Sequence, residues 1–503
     1  MAAASPNKSK RIVSVVAATL VALACGTNYA YSAWAPQFAQ QMKISSTESN
    51  FIGAAGNLGM YASGIPLGLL TDARGPRLTT FLGAITLGIG YYPIYLAYIK
   101  GPGSMAIIFL SFFAFLTGFG SCSAFSASIK TSASNFPDHR GTATAFPLAA
   151  FGLSAFFWST VSSVLFKDDT GRFLLLLALG TCALNLVSIP FLRILPPSEP
   201  YMPLGRGRSP GVESQRLRTT RSTEFRHSLE ESDEAVPSRS SREFLNQHEE
   251  DDDALSDVAP DSPHPDVRGL AMLPKIEFWQ LFLTMALLSG IGLMTINNIG
   301  NSAKALWQYY DDSASPKFIQ QRQVMHVSIL SFGNFIGRLS SGIGSDLLVK
   351  KLNMSRFWCL FISAFVFTVT QLAGSAISNP HQLAIVSGFT GIAYGFLFGV
   401  FPSLVAHTFG IGGLSQNWGV MTLAPVFSGN VFNLLYGSIY DRHSIVEPNG
   451  DRDCPDGLAC YQSAYYTTFL SGVAGVVACL WSILHERRIH GAMHKKVEHD
   501  RLA

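Results

Sequence analysis

Long apolar runs alternate with short polar joints throughout this chain, and most runs reach the roughly 20 residues that carry a helix across a bilayer. Twelve runs can be placed, at about 12–36, 50–71, 78–99, 104–130, 141–165, 172–194, 277–300, 323–345, 356–378, 382–406, 418–440 and 464–485. Between the sixth and seventh lies 196–274, rich in Ser, Arg, Asp and Glu, with the acidic run EEDDD at 249–253. Such a segment buries too little apolar surface to offset its chain entropy, so it reads as a disordered linker. The expected fold is an all-α membrane protein of twelve transmembrane helices in two six-helix bundles, 12–195 and 275–486. Polar tails are expected at 1–11 and 487–503.

Composition supports this reading. Of 503 residues, 48% are hydrophobic and only 14% charged, too few for the surface of a soluble protein. A net charge of +3, with no basic tract interleaved with aromatics, gives no support for a nucleic-acid partner. The segment NKSKRIVSVVAATLVALAC imitates a signal peptide, but its apolar character continues past Cys25 and further runs follow, so a retained first span is expected. Cys25, Cys122, Cys182 and Cys479 lie inside apolar runs and Cys359 near the start of one, where cysteine behaves as a small hydrophobe. Cys454 and Cys460, in the polar loop CPDGLAC, form either a small disulfide or half a metal site. With no second Cys/His pair beside them, the disulfide is favoured if the loop faces an oxidising space.

Lysine and arginine near the span ends set the expected orientation. With the N-terminus in the cytosol, that side collects Lys8, Lys10, Arg11, Arg74, Arg77, Arg140, Lys350, Lys351, Arg356, Arg487 and Arg488, together with the tether. Both termini are then cytosolic, the Cys454 loop is not, and the sequons at Asn7 and Asn353 escape glycosylation.

The second span carries GNLGMYASGIPLGLLTDARGPR (56–77), sixteen uncharged residues before Asp72, Arg74 and Arg77. Its glycines at 53, 56, 59, 64 and 68 keep one helical face narrow, so that a neighbouring helix can approach. The pattern Gly68-x-Leu70-x-Asp72-x-x-Gly75-x-Arg77 resembles the cytosolic loop motif between helices two and three of the major facilitator superfamily. GNFIGRLSSGIGSD (333–346), followed by Lys350 and Lys351, is its degenerate partner between helices eight and nine. Equivalent motifs in the two halves suggest parallel repeats about the membrane normal. GTNYAYSAWAPQF (26–38), NFPDHRGTATAFPLAAFGLSAFFW (135–158) and YGSIYD (436–441) are similar to the nodulin-like and fungal monocarboxylate-transporter-homologue branch.

Arg338 lies eight residues, about 12 Å of helix rise, before the expected end of span eight, hence deep in the membrane. A guanidinium there is costly and normally faces a cavity or a partner. It resembles the span-eight arginine with which monocarboxylate transporters hold the substrate carboxylate, where a planar donor fork suits two oxygens. The alternatives are that it snorkels or pairs with Asp346. Where those transporters carry an aspartate four residues earlier, this chain has Asn334, and the first span lacks their lysine. Asparagine carries no proton, so the resemblance does not extend to proton coupling by that route. Asn28, Tyr29, Tyr31, Asn57, Asn297 and Asn298 are further candidate substrate contacts or interhelical ties, and Lys130 either helps bind anions or reaches the headgroups. His326 is a candidate proton site or a solvated rim residue. Asp72, Arg74, Arg77 and Asp346 are expected to gate, holding cytosolic helix ends together in the outward-open state. In the tether, YMPL (201–204) fits a sorting signal, and Ser222, Ser228 and Ser232 are plausible phosphosites.

The expected function is secondary transport of a small organic solute, such as a monocarboxylate, by alternating access. The alternative is a solute receptor of the same fold that signals without flux. No GxxxxGK[ST], HExxH or GxSxG occurs, so neither ATP drive nor an enzyme is expected, and no cofactor or metal is implied. The expected partners are a small organic anion and the lipid bilayer, around a monomer. The branch resemblance implies the vacuolar membrane, with the plasma membrane as the alternative.

Overall fold

A computed structural model describes residues 6–136, 140–166, 169–195, 267, 269–352, 354–410, 414–446 and 452–502. Twelve helical passages run through it, six before the tether and six after. The first comprises α1 (Pro6–Cys25), a 3-10 turn at Gly26–Ala30 and α2 (Tyr31–Met42). The second is α3 (Ser46–Ala62) and α4 (Gly64–Arg74). Spans three to six are α5 (Pro76–Lys100), α6 (Ile107–Asn135), α7 (Arg140–Phe166) and α8 (Thr170–Ser188). Spans seven to ten are α9 (Ile276–Tyr310), α10 (Pro316–Leu352), α11 (Phe357–Ala376) and α12 (Leu383–Phe409). Span eleven is α13 (Leu414–Met421) with α14 (Leu423–His443), and span twelve is α15 (Gln462–Leu502). A hairpin of β1 (Ile445–Val446) and β2 (Arg452–Asp453) leads into the Cys454–Cys460 disulfide. The two ends of the bundle are called here the tether end and the disulfide end.

Among the described residues, nine helices are long and apolar enough to cross a membrane, against the twelve expected from sequence. Spans two and eleven are each interrupted at one residue, Ser63 and Thr422; this leaves span two with arms of 17 and 11 residues, whereas the 21-residue arm of span eleven falls short in hydropathy, carrying Asn430, Asn433, Asp441 and Arg442. Each interruption is followed three residues later by a proline, Pro66 or Pro425, which removes a donor from the helical ladder. Span eight falls short in hydropathy because it carries buried Gln323, His326, Ser331, Asn334, Arg338, Ser341 and Ser345. It is also longer at both ends than the expected 323–345.

The halves pack as one unit and meet chiefly through three pairs of passages, five with eight, two with eleven and one with seven. Small residues set the closest approaches. A Cβ placed on Gly118 of span four would stand within van der Waals overlap of the Gly56 carbonyl of span two. In the other half, a Cβ on Gly395 of span ten would lie 2.3 Å from the Asn334 carbonyl of span eight. The pairs two–four and eight–ten are equivalent in the two halves, as the motif repeat predicts. Of the glycines expected to narrow span two, Gly56 and Gly59 press on span four and Gly53 on Tyr31, whereas Gly68 has open space beside it and serves no close approach.

The expected linker lies outside the described residues except for its last part. There Val267 and the 3-10 turn Gly269–Met272 pack onto the second half. The cause is visible: Val267 N–H donates to the Phe409 carbonyl, and the Asn417 side chain bonds both the Val267 carbonyl (2.8 Å) and the Gly269 N–H (2.9 Å). YMPL and the three tether serines lie outside the described residues.

Candidate functional site

Span eight presents Arg338 to the seam between the halves, where its side chain is only 6% exposed. Its Nε donates to Asn334 Oδ1 one turn earlier (3.0 Å), and Nη1 donates to the Leu148 carbonyl of span five (3.3 Å). Nη2 reaches the Tyr29 hydroxyl at 3.5 Å. The guanidinium carbon lies 5.5 Å from the ring centroids of both Phe151 and Phe398, within cation–π range. Span five can come this close because Gly152 faces the Arg338 stem; a Cβ there would meet Arg338 Cδ at 3.3 Å and Asn334 Cγ at 3.4 Å.

Three hydroxyls from three spans meet beside this cation. Tyr61 of span two and Tyr394 of span ten are 2.7 Å apart, and Tyr29 stands 3.3 Å from Tyr61 and 3.5 Å from Tyr394. Tyr394 fits against Gly292 of span seven, where any Cβ would collide with its ring. The site therefore joins both halves: Tyr29, Tyr61 and Phe151 come from the first, and Asn334, Arg338, Tyr394 and Phe398 from the second. A buried cation is costly unless compensated. The partners of Arg338 are a carbonyl, an amide oxygen, a hydroxyl and two ring faces, none of them carrying a full negative charge. The arrangement can therefore accept an anion, the fork supplying charge and the phenols supplying donors. The Asn334 Nδ2 is buried and unpartnered, a further donor at the same place.

Arg338 does not snorkel, being buried; Asp346 lies eight residues on, about 12 Å along the helix. The side chain of Asp346 lies outside the described residues. Of the other candidates, Tyr29 and Asn334 join Arg338, and several do not. Asn28 donates to the Gly56 carbonyl (3.1 Å) and accepts from Thr117 Oγ1 (3.3 Å), tying spans one, two and four. Tyr31 bonds Ser49 of span two. Asn298 bonds Asn433 of span eleven (3.1 Å), while Asn297 and Asn57 are buried with unpartnered Nδ2 atoms. Lys130 stands apart from the site: its Nζ pairs with Asp72 at 2.8 Å at the tether end. Arg77 Nε donates to the Leu192 carbonyl of the same half (3.0 Å), and Arg74 is exposed. His326 is not the solvated rim residue of the alternative reading; it is fully buried, with Nδ1 3.0 Å from Ser387 Oγ. Cys454 and Cys460 form the disulfide. Among the described residues, no group of three or more His, Cys, Asp or Glu could hold a metal ion.

The sequence reading missed Tyr61, Tyr394, Phe151 and Phe398. Tyr61 lies inside the quoted span-two motif and Tyr394 between Gly391 and Gly395, a glycine context that admits a bulky ring between close helices.

Comparison with known proteins agrees with the fold. A family model described as Major Facilitator Superfamily matches residues 17–431. An uncharacterized membrane protein of Saccharomyces cerevisiae, YMR155W, is 29% identical over 92% of each chain. A protein of Gibberella zeae named probable transporter MCH1 is 24% identical, covering 95% of this chain and 90% of its own. Among solved structures, a point mutant of the nucleoside transporter NupG is 12% identical with a TM-score of 0.56, over 93% of this chain and 98% of that one. A bacterial homologue of the human lysosomal transporter Spinster is 14% identical with a TM-score of 0.53, over 96% of both.

Proposed function

This chain belongs to the major facilitator superfamily, and from that premise we propose that it moves a small organic anion, of the monocarboxylate class, by alternating access, with Arg338 holding the anionic group. The observation that carries the reading is a buried guanidinium at the seam of the halves that no carboxylate compensates among the described residues. The name of the Gibberella zeae relative, probable transporter MCH1, points the same way.

In this reading the carboxylate takes the Nη edge of Arg338 in place of the Leu148 carbonyl and the Tyr29 hydroxyl. Tyr61 and Tyr394 then donate to the solute rather than to each other. Because they come from opposite halves, a solute between them bears on both, which is what coupling binding to rocking requires. Asn334 orients the guanidinium and carries no proton. Asp72 with Lys130, Arg74, Arg77 and Asp346 act at the tether end as gate elements, with the tether and termini in the cytosol. The vacuolar membrane is the proposed location. His326 is the buried titratable group on the same helix and the candidate for any proton coupling.

Purified protein in liposomes tests this. Labelled monocarboxylates should accumulate or exchange, and Arg338→Ala should abolish saturable flux. Arg338→Lys keeps the charge and loses the fork. Replacing charge-assisted bonds of about 1.5–3 kcal/mol should raise the half-saturating concentration by about tenfold or more. Binding without flux would favour a receptor, and unchanged flux in Arg338→Ala would refute the anion site.

A further inference from the structure

At the disulfide end, the segment YGSIYD (436–441) of span eleven meets the first turn of α3 in the opposite half. Asp441 Oδ1 accepts from the Ser46 N–H at 2.7 Å, and Oδ2 accepts from the Thr47 N–H at 2.8 Å. The opening N–H groups of a helix have no partner within it, and the helix dipole favours negative charge there. Here a carboxylate from the other half meets both needs. α3 is already capped within its own half by Ser45, whose side chain accepts from the Glu48 N–H while Glu48 bonds the Ser45 N–H. Asp441 takes the two amides that this box leaves over.

One turn before Asp441, Gly437 lies directly against α3: a Cβ would stand 2.7 Å from Thr47 Cα and 3.0 Å from its nitrogen. Only glycine lets span eleven come near enough for the carboxylate to reach both amides. On the far side, Tyr436 donates to or accepts from Ser302 of span seven (2.9 Å), which holds this turn of span eleven to its own half. A small cleft beside the contact is lined by Pro36, Ala39, Asn301, Lys304, Asp441 and Arg452, residues of both halves. Nearby, Gln37 of span one bonds Gln323 of span eight, and Gln320 Nε2 donates to Thr170 Oγ1 (3.0 Å). A second side chain-to-backbone tie crosses the five–eight seam, where Ser331 Oγ accepts from Phe156 N–H (2.9 Å) and donates to the Gly152 carbonyl (2.8 Å). At the tether end the Asp72–Lys130, Arg77–Leu192 and Asn417–Val267 contacts each stay within one half, and it is the Gly419–Ile65 packing that crosses there, with no charged contact among the described residues.

We propose that Asp441 is the latch of the disulfide end: its carboxylate, seated on the amide pair of α3 through the clearance given by Gly437, holds that end shut and must let go each time the solute path opens there. The inference rests on the alternating-access reading, but its test does not need flux. Asn301, in the cleft behind the contact, is replaced by Cys in otherwise native protein, and its labelling by a membrane-impermeant maleimide from the disulfide side is timed. Adding Asp441→Ala should raise the labelling rate by about tenfold or more, since the loss of even one of its two charge-assisted bonds is worth that much. Asp441→Asn keeps one acceptor oxygen and should fall between. Asp441→Glu, one methylene longer at a contact with no slack, should also label faster. A thermal melt and gel filtration establish that each variant is folded. Folded Asp441→Ala protein labelling at the parent rate would overturn the latch. Faster labelling without flux in any variant would leave the latch standing and count against the transport reading.

Discussion

Replacing Gly395 with alanine probes the packing that sets the candidate site. The new Cβ would lie 2.3 Å from the Asn334 carbonyl and 2.8 Å from the Arg338 nitrogen, both backbone atoms of span eight that cannot swing away. An ordinary carbon contact needs about 3.4 Å or more, so spans eight and ten must separate by about 1 Å. Forcing a methyl into a full interior costs about 1–3 kcal/mol, or about a five- to 150-fold fall in the folded-to-unfolded ratio. The same displacement moves Asn334 and Arg338 away from Tyr394 and Phe398 of span ten, taking the guanidinium carbon beyond its present 5.5 Å from the Phe398 centroid and out of cation–π range. The control is Gly342→Ala on the same span eight, where nothing lies within 4 Å of the added Cβ. There the helix gains roughly 1 kcal/mol of propensity. Melting in detergent and flux in liposomes should therefore move in opposite senses, Gly395→Ala less stable and slower, Gly342→Ala unchanged or more stable. A Gly395→Ala protein with parental melting and flux would refute the claim that the eight–ten approach positions Arg338.

Two further outcomes follow from local chemistry. Reducing the Cys454–Cys460 bridge, or replacing both residues by Ser, frees a seven-residue loop in the unfolded chain and should destabilise by about 2 kcal/mol on the loop-closure argument, read as a reductant-dependent melting temperature. Asp72→Asn breaks a pair whose side chains are 58% and 29% exposed, so stability should fall by less than about 1 kcal/mol, while a gating role would show as changed flux at unchanged melting.

Length and hydropathy made the spans legible, because lipid demands a long, internally bonded apolar helix and the sequence must declare it. Arg338 was legible for the complementary reason: a charge within such a run needs an explanation. The interruptions at Ser63 and Thr422 were signalled only by the prolines that follow them. Lys130 stayed ambiguous in the sequence, between an anion contact and the headgroups, because a long flexible stem lets its charge sit far from its backbone position, here on Asp72 at the bundle end. Tyr61 and Tyr394 were invisible because a tyrosine in an apolar run looks like core until its partner on another helix is known. Asp441 carried a motif but no meaning until the amides of Ser46 and Thr47, almost 400 residues away in the chain, came into view.

The interruptions of spans two and eleven face each other: Thr422 Oγ1 donates to the Tyr61 carbonyl at 3.3 Å, and Gly419 rests on Ile65. Beyond them, α4 and α13 project as short rigid levers about 16 and 12 Å long, from their 11 and 8 residues. A swing of about 10° at each elbow shifts a tip by roughly 2–3 Å, on these lengths. Spans two and eleven thus share bending points at one level of the bundle, while their longer arms, α3 and α14, pack together towards the opposite rim.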